Sequence, residues 1–301
     1  MRVAITGATG FVGRALVDGL TSEGHHVLAF VRDRARAREL IPRAELIELG
    51  ELLGGPISSC DAWVNLAGAP LMEGRWTEAR RAELARSRVD LTERIVLSLP
   101  RSESLPLRTI VSASAVGFYG DRGDEWLDES ADPGSDFLSQ LCVRWEGAAQ
   151  KARALGIRVV TLRIGIVLEA GGGMLGKLAP IFRACLGGRI GSGKQFVSWI
   201  HRADLLSVVD AALNRFELSG PINAVAPNPV RNSELTQALG RALHRPTLFP
   251  VPRFALELAL GDSSFALLSS QRVQPRRLLE SGFSFAHPEL PEALHAVFET
   301  R

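Results

Sequence analysis

A glycine-spaced turn stands directly behind the first apolar run of the chain: Val3-Ala4-Ile5 leads into Thr6-Gly7-Ala8-Thr9-Gly10-Phe11-Val12-Gly13. A strand, a glycine turn and a helix in that order build a pocket for a dinucleotide pyrophosphate. Gly7 permits the tight turn. Gly10 carries no side chain to keep phosphates from the backbone, and Gly13 lets the helix pack closely on the strand. The free N–H groups and the dipole at the start of the helix then face the anion. The amphipathic run from Phe11 to Leu20 supplies that helix.

The rest of the first two thirds repeats the alternation. Apolar runs at Arg2–Thr6, His26–Val31, Glu45–Leu49, Ala62–Leu66, Arg108–Ser112 and Arg158–Ile164 read as strands. Segments of helical length and spacing lie between them, notably Trp76–Leu99 and Phe137–Ala154. Such alternation predicts an α/β fold, a Rossmann-like, doubly wound parallel sheet covered on both faces. Ligands of these sheets sit at the carboxyl ends of the strands. The expected cofactor contacts are therefore the turn residues Gly7, Thr9, Gly10, Phe11, Val12 and Gly13, then Val31-Arg32, Leu66-Ala67-Gly68 and Ser112.

After Leu168 the texture changes. Glycines cluster at 171–173, 187–188 and 191–193, prolines recur from Pro221 to Pro252, and helical stretches remain at Ala203–Phe216, Asn232–Leu243 and Arg272–Glu280. The division expected is a dinucleotide-binding region over 1–168 and a smaller C-terminal substrate lobe over 169–301, with residues 221–226 returning to the first sheet.

Several partner classes are disfavoured. Basic and acidic residues nearly cancel, 35 against 33, and the densest basic patch, Arg32 to Arg38, is interrupted by Asp33 and followed by Glu39. Nucleic acid is not implied. Cys60, Cys142 and Cys185 lie far apart, which fits neither a disulfide framework nor a zinc site and suits a reducing compartment. No apolar stretch approaches the roughly 20 residues of a membrane helix. With strand and turn beginning at once, no signal peptide is read, and a cytoplasmic location is the expectation. The partner expected is a small-molecule substrate of unknown identity, and association into a homodimer stays open.

The residue after the second strand normally meets the adenosine ribose, where an acid suits the 2′-hydroxyl and an arginine the 2′-phosphate. Here the strand ends Val31-Arg32-Asp33. Arg32 favours NADP(H) over NAD(H), and Asp33 keeps the alternative open.

With Asn65-Leu66-Ala67-Gly68 and Ser112-Ala113-Ser114 added to the glycine turn, the chain resembles the extended short-chain dehydrogenase/reductases, which include sugar-nucleotide epimerases and dehydratases. Gly117-Phe118-Tyr119-Gly120, Trp145-Glu146, Arg163-Ile164-Gly165-Ile166-Val167-Leu168, Gly191 to Gln195, Trp199-Ile200-His201 and Asn223 to Pro229 sharpen it. They resemble the atypical, YfcH-type "epimerase family protein" group from Met1 to about Phe298, including the small region Gln271–Phe283.

The resemblance implies a Tyr-x-x-x-Lys pair, with the tyrosine as general acid/base. This chain has one tyrosine, Tyr119, followed four residues on by Gly123. Its lysines are Lys151, Lys177 and Lys194. Counted back from Glu146, the pair would fall at Leu138 and Cys142. An isolated tyrosine with a pKa of about 10 is poorly matched to proton transfer at neutral pH. The catalytic candidates left are Ser114, which keeps the family's serine position, Tyr119 on the same loop, and His201, whose imidazole titrates near neutrality. Each has a bland alternative: a backbone-capping serine, a packing tyrosine, a structural histidine. Asp204 is expected to cap or orient the helix after His201. By resemblance Glu83 and Arg88 contact the cofactor, the alternative being surface charges. Arg163 either faces the nicotinamide region or anchors a carboxylate inside the fold, and Lys194, Gln195 and Arg272 line the substrate cleft. The function expected is that of an NADP(H)-dependent oxidoreductase or epimerase-like enzyme. The alternative is a non-catalytic NADP(H)-binding redox sensor or regulatory protein.

Overall fold

The computed structural model describes residues 1–52, 55–102 and 104–299. Its strands through the first half are β1 (Arg2–Thr6), β2 (His26–Val31), β3 (Glu45–Glu48), β4 (Ala62–Asn65), β5 (Thr109–Ala115) and β6 (Trp126–Leu127). Then follow β7 (Arg158–Ile164), β8 (Ile166–Leu168), β9 (Phe196–Val197), β10 (Trp199–His201), β11 (Gly220–Ala224), β12 (Val230–Arg231) and β13 (Arg272–Val273). The helices are α1 (Phe11–Ser22), α2 (Arg34–Leu40), α3 (Glu78–Ala85), α4 (Leu91–Ser98), α5 (Phe137–Gln150) and α6 (Gly173–Arg183). They continue as α7 (Arg202–Asn214), α8 (Asn232–Ala242), α9 (Arg253–Leu260), α10 (Phe265–Leu268), α11 (Arg276–Glu280) and α12 (Leu290–Glu299).

Among the described residues the main sheet has seven parallel strands in the order β11-β7-β5-β4-β1-β2-β3. Both faces are covered, so successive residues of one strand serve two cores. Val3 and Ile5 of β1 join Leu16, Val17 and Leu20 of α1 and Val208 and Val209 of α7. Ala4, between them, joins Leu28, Trp63, Ile95 of α4 and Ala149 of α5 on the other face. Trp63, Ile5, Leu28 and Ile110 are fully enclosed. Burying one such side chain stabilises the fold by roughly 1.5–3 kcal/mol.

The strand order reverses between β1 and β4, so the crevice at their carboxyl ends is the switch point where this architecture receives ligands. After β7 the chain leaves the sheet. Gly165 marks the crossing, since a Cβ there would stand 2.7 Å from the Ser198 carbonyl oxygen. A third apolar cluster, including Leu168, Leu175, Trp199, Leu239 and Leu294, fills the C-terminal region. The chain then re-enters the sheet, pairing β11 with β7 from Gly220↔Val160 to Ala224↔Ile164.

Two helical expectations need correction. Arg272–Glu280 is not one helix: Arg272–Val273 pairs in parallel with Trp126–Leu127, and helix begins only at Arg276. Pro275 explains this, because it disfavours helical backbone at the residue before it and supplies no N–H. The stretch Trp76–Leu99 starts at Glu78, capped by the Thr77 hydroxyl, and passes through a π-helical segment at Arg86–Asp90.

Candidate functional site

The cradle at the switch point is built from backbone. Gly7 has φ +79°, and a Cβ on it would lie 2.5 Å from the carbonyl of Leu66. The first turn and the loop after β4 therefore abut. Gly13 is equally confined, but by the turn rather than by the strand: its Cβ would stand 2.2 Å from the Gly7 oxygen. A Cβ on Gly10 would meet only that same oxygen, at 3.1 Å, and otherwise open space. Gly10 is the N-cap of α1; no side chain caps the helix and no acid lies in its first turn. Exposed donors and an uncompensated dipole suit a pyrophosphate. Thr9, Phe11 and Val12 are half-buried around this point. The Phe11 ring lies against Gly172, where a Cβ would come within 2.2 Å of it, so the glycine-rich segment 171–173 lies over the start of α1.

At the end of β2, Val31 is buried and Arg32 exposed. Among the described residues Arg32 has no hydrogen-bond or ion-pair partner. Asp33 is committed elsewhere, its carboxylate accepting the Arg36 N–H at 2.9 Å as the cap of α2. The residue suited to a 2′-phosphate is free, and its acidic rival is occupied.

Below the cradle runs a buried polar chain. Thr6 Oγ1 donates to Asn65 Oδ1 at 2.7 Å, and Asn65 Nδ2 donates to Thr92 Oγ1 at 2.8 Å and Ser112 Oγ at 3.2 Å. The indoles of Trp63 and Trp145 donate into it, to Thr6 and Thr92. It fixes the ends of β1, β4 and β5 against each other and holds Ser112 below the surface. Asn65 and Thr92 were not among the expected contacts. Asn65 stood in the quoted motif, but only the register pairing Thr6 with Asn65 and Asn65 with Ser112 reveals its place.

Two residues further along β5, Ser114 donates its hydroxyl proton to Glu146 Oε1 at 2.7 Å. Arg163 grips the same carboxylate through Nε at 3.0 Å and Nη2 at 3.1 Å. Its remaining terminus donates to the Tyr119 hydroxyl at 3.0 Å and the Glu129 carbonyl at 3.3 Å. Burial opposes the charge on Arg163, but hydrogen bonding and the charge of Glu146 outweigh it and hold its pKa above the usual value. Of the two roles expected for Arg163, the carboxylate anchor inside the fold is the one seen, not the cofactor contact: it is 4% exposed, with its guanidinium 3.4 Å from the centre of the Phe118 ring.

Tyr119 takes the packing role expected as its alternative, not the catalytic one. It has no exposure, donates to Asn223 Oδ1 at 2.6 Å, and burial pushes its pKa up to about 12. A catalytic tyrosine needs the opposite shift. Leu138 and Cys142, at the positions where the resemblance would put Tyr and Lys, are both buried on α5. The Cys142 thiol is within hydrogen-bonding reach of Ser114, and burial pushes its pKa up to about 12. Ser114 is itself only 4% exposed at this strand end, its proton given inward to Glu146.

His201 is also structural. Its Nδ1 accepts the Ala203 N–H at 3.2 Å and caps α7. Its ring stands 4.0 Å from that of His287, and burial, then the neighbouring His287, lowers its pKa. Asp204 does not cap the helix; it accepts the N–H groups of Ala286 and His287 at 2.6 and 3.0 Å. Glu83 faces outward in an ion pair with Arg80 at 2.7 Å. Arg88 folds beneath the loop after β4, donating to the Ala69 carbonyl at 2.9 Å, and Gly68 leaves the room it needs. Its position supports Leu66, Ala67 and Gly68, which line the cradle half-buried or exposed. Gln195 spends its amide N–H groups on the carbonyls of Ile190 and Leu267, whereas Arg272 is stacked between Trp126 and Phe196 with its Nε left without a hydrogen-bond partner. Among the described residues no cluster of three or more His, Cys, Asp or Glu could hold a metal ion, and no helix is long and apolar enough to cross a membrane.

Residues 3–224 match the NAD dependent epimerase/dehydratase family, and residues 251–297 match a domain of unknown function (DUF1731). The chain is 38% identical over 304 residues to the epimerase family protein SDR39U1 homolog, chloroplastic, of Arabidopsis thaliana, covering 99% of this chain and 87% of the relative. It is 35% identical to the epimerase family protein YfhF of Bacillus subtilis, covering 100% and 99%. The crystal structure of human epimerase family protein SDR39U1 (isoform2) with NADPH superimposes over 100% of both chains, with a TM-score of 0.91 and 34% identity.

Proposed function

The chain belongs to the NAD dependent epimerase/dehydratase family, and from that premise we propose that it is an NADP(H)-dependent oxidoreductase or epimerase-like enzyme acting on a small molecule. The observation that carries this reading is the cradle. Gly7 and Gly13 fit only because they lack a Cβ, Gly10 opens upward at an uncapped helix start, and Arg32 waits unpaired beside it. The similarity to a human protein crystallised with NADPH supports the phosphorylated cofactor. Bound there, that cofactor supplies or receives a hydride.

The chain's own contribution is positioning. Ser114 offers acceptor lone pairs to a substrate hydroxyl, and the Glu146–Arg163 pair stops the serine from rotating. Tyr119 is enclosed and bonded to Asn223, and Leu138 and Cys142 stand at the family's tyrosine and lysine positions, so the proton falls to a group other than these. Three free cysteines suit work in a reducing compartment such as the cytoplasm.

Titrating the purified protein with NADPH and NADH tests the cofactor assignment: NADPH is to bind more tightly, and equal affinities sink it. Screening for NADPH turnover then tests chemistry, with Ser114→Ala expected to slow any substrate found. The buried Tyr119 and the apolar Leu138 favour a second reading, a non-catalytic NADP(H)-binding regulator. Tight NADPH binding without turnover on any carbonyl compound or nucleotide sugar would select it.

A further inference from the structure

Beside the start of α5 a cleft of about 480 Å³ opens between the Trp76–Arg81 segment and the C-terminal segment 253–268. Three rings face it: Trp76, Phe137 and Phe265. The Trp76 and Phe137 rings are 5.4 Å apart and tilted by 59°. The Trp76 N–H is turned inward to the Leu71 carbonyl at 3.0 Å, which leaves the indole to present carbon to the cleft. Phe137 and Phe265 are only half-buried, as ring walls awaiting an occupant would be.

The charges around the cleft are already matched. Arg81 pairs with Asp262 at 2.6 Å and lies over the Phe137 ring, and Arg253 pairs with Glu257 at 2.7 Å. Asp136 spends its carboxylate on the first N–H groups of α5 and on the Ser139 hydroxyl. No unpaired cation among the cleft's residues is left for a diphosphate, which calls for charge-assisted, preferably bidentate donors.

The ring walls of the cleft pack toward the cofactor end of the sheet. Trp76 and Phe137 belong to one apolar cluster with Ala113, Leu138, Leu66 and Ile164, residues at or beside the ends of β5, β4 and β7. Its rim is tied across, Arg75 donating to the Leu258 carbonyl at 2.9 Å and Ser263 to the Gly74 carbonyl at 3.4 Å.

We infer that this cleft is the substrate site and that it takes an uncharged, flat aromatic compound bearing a carbonyl or hydroxyl group, not a nucleotide-diphosphate sugar. The inference rests on the oxidoreductase reading above. Its volume is that of a pocket for a small organic ligand, and ring walls favour offset or edge-on contact with another ring.

The test is calorimetric titration of the full chain, loaded with NADPH, with 1-tetralone and acetophenone against UDP-glucose and UDP. The two ketones are expected to bind and the two uridine nucleotides not. Phe137→Ala and Phe265→Ala are each expected to weaken ketone binding about tenfold while leaving NADPH affinity unchanged. Should Phe137→Ala fail to fold, the half-exposed Phe265 carries the comparison alone. Ketone affinity unchanged in Phe265→Ala, or UDP-glucose bound and ketones silent, overturns the inference. So does silence from all four ligands with NADPH bound. Loss of NADPH binding in the unaltered protein would instead strike the cofactor reading, so the two failures are distinguishable.

Discussion

Glu146 and Arg163 form a two-pronged ion pair, with contacts of 3.0 and 3.1 Å, almost wholly enclosed beneath Ser114. Removing one partner of such a pair strands the other charge, at a cost of about 3–5 kcal/mol. Glu146→Ala is therefore expected to lower stability by that much in chemical denaturation, and Glu146→Gln by less. A loss near zero for Glu146→Ala would mean that the pair is open to water.

Tyr119→Phe removes the hydroxyl between Asn223 and Arg163. The Asn223 oxygen is left without its 2.6 Å donor in a buried place. The expected result is a destabilisation of about 1–3 kcal/mol with NADPH affinity unchanged. A variant as stable as the parent but unable to bind or turn over NADPH would restore Tyr119 to the site.

The glycines of the turn are expected to separate by role. Gly13→Ala drives a methyl group into backbone at 2.2 Å and should cost about 1–3 kcal/mol of stability as overpacking. Gly10→Ala meets only the 3.1 Å contact, so its melting temperature should stay close to the parent's while NADPH binding weakens. Differential scanning calorimetry alongside cofactor titration distinguishes the two.

Arg32→Ala is expected to weaken NADPH roughly ten- to a hundredfold and NADH hardly at all. That is the loss of one charge-assisted contact of about 1.5–3 kcal/mol. Binding measured at two salt concentrations checks the electrostatic origin, because the preference should shrink as salt rises.

His201 gives stability a pH dependence. Burial lowers its pKa in the folded chain, so the unfolded chain binds the proton more readily. The stabilisation is complete above the unfolded pKa of about 6.5 and is lost as the pH falls from there through the lowered folded value. Protonation of Nδ1 would also break the cap on α7. His201→Asn keeps a capping side chain without the titration, so its melting temperature should fall less than the parent's between pH 7 and 5. Parallel curves would show that other groups carry the dependence.

The six expected strands of the main sheet were all legible, three of them to the residue, although β5 runs three residues past its expected end and the short strands outside the main sheet went unread. β1, β2 and β7 have the bounds expected from their apolar runs, because a strand buried on both faces leaves a continuous signature. The roles of single polar residues were not. Whether Tyr119 faces solvent depends on Asn223, 104 residues away on the last strand of the sheet. Whether His201 is free depends on His287. Trp145-Glu146 and Arg163 could each be recognised as part of a motif, but their pairing arises only when α5 packs on β7. Glu83 illustrates a different limit: helical spacing fixes a residue's neighbours along the helix, such as Arg80, but not which way the helix is turned.

The position of β11 bears on how the molecule can be divided. The chain leaves the sheet after Ile164, builds β8, α6, β10 and α7, and then returns to lay Gly220–Ala224 along β7. A fragment ending at Leu168 would lack this edge, leaving the backbone groups along the β11 side of β7 unpaired while its β5 side stays bonded. The C-terminal segments expressed alone would carry an orphan strand. The two regions are therefore interleaved parts of a single folding unit, and a cut between them would leave two aggregation-prone pieces.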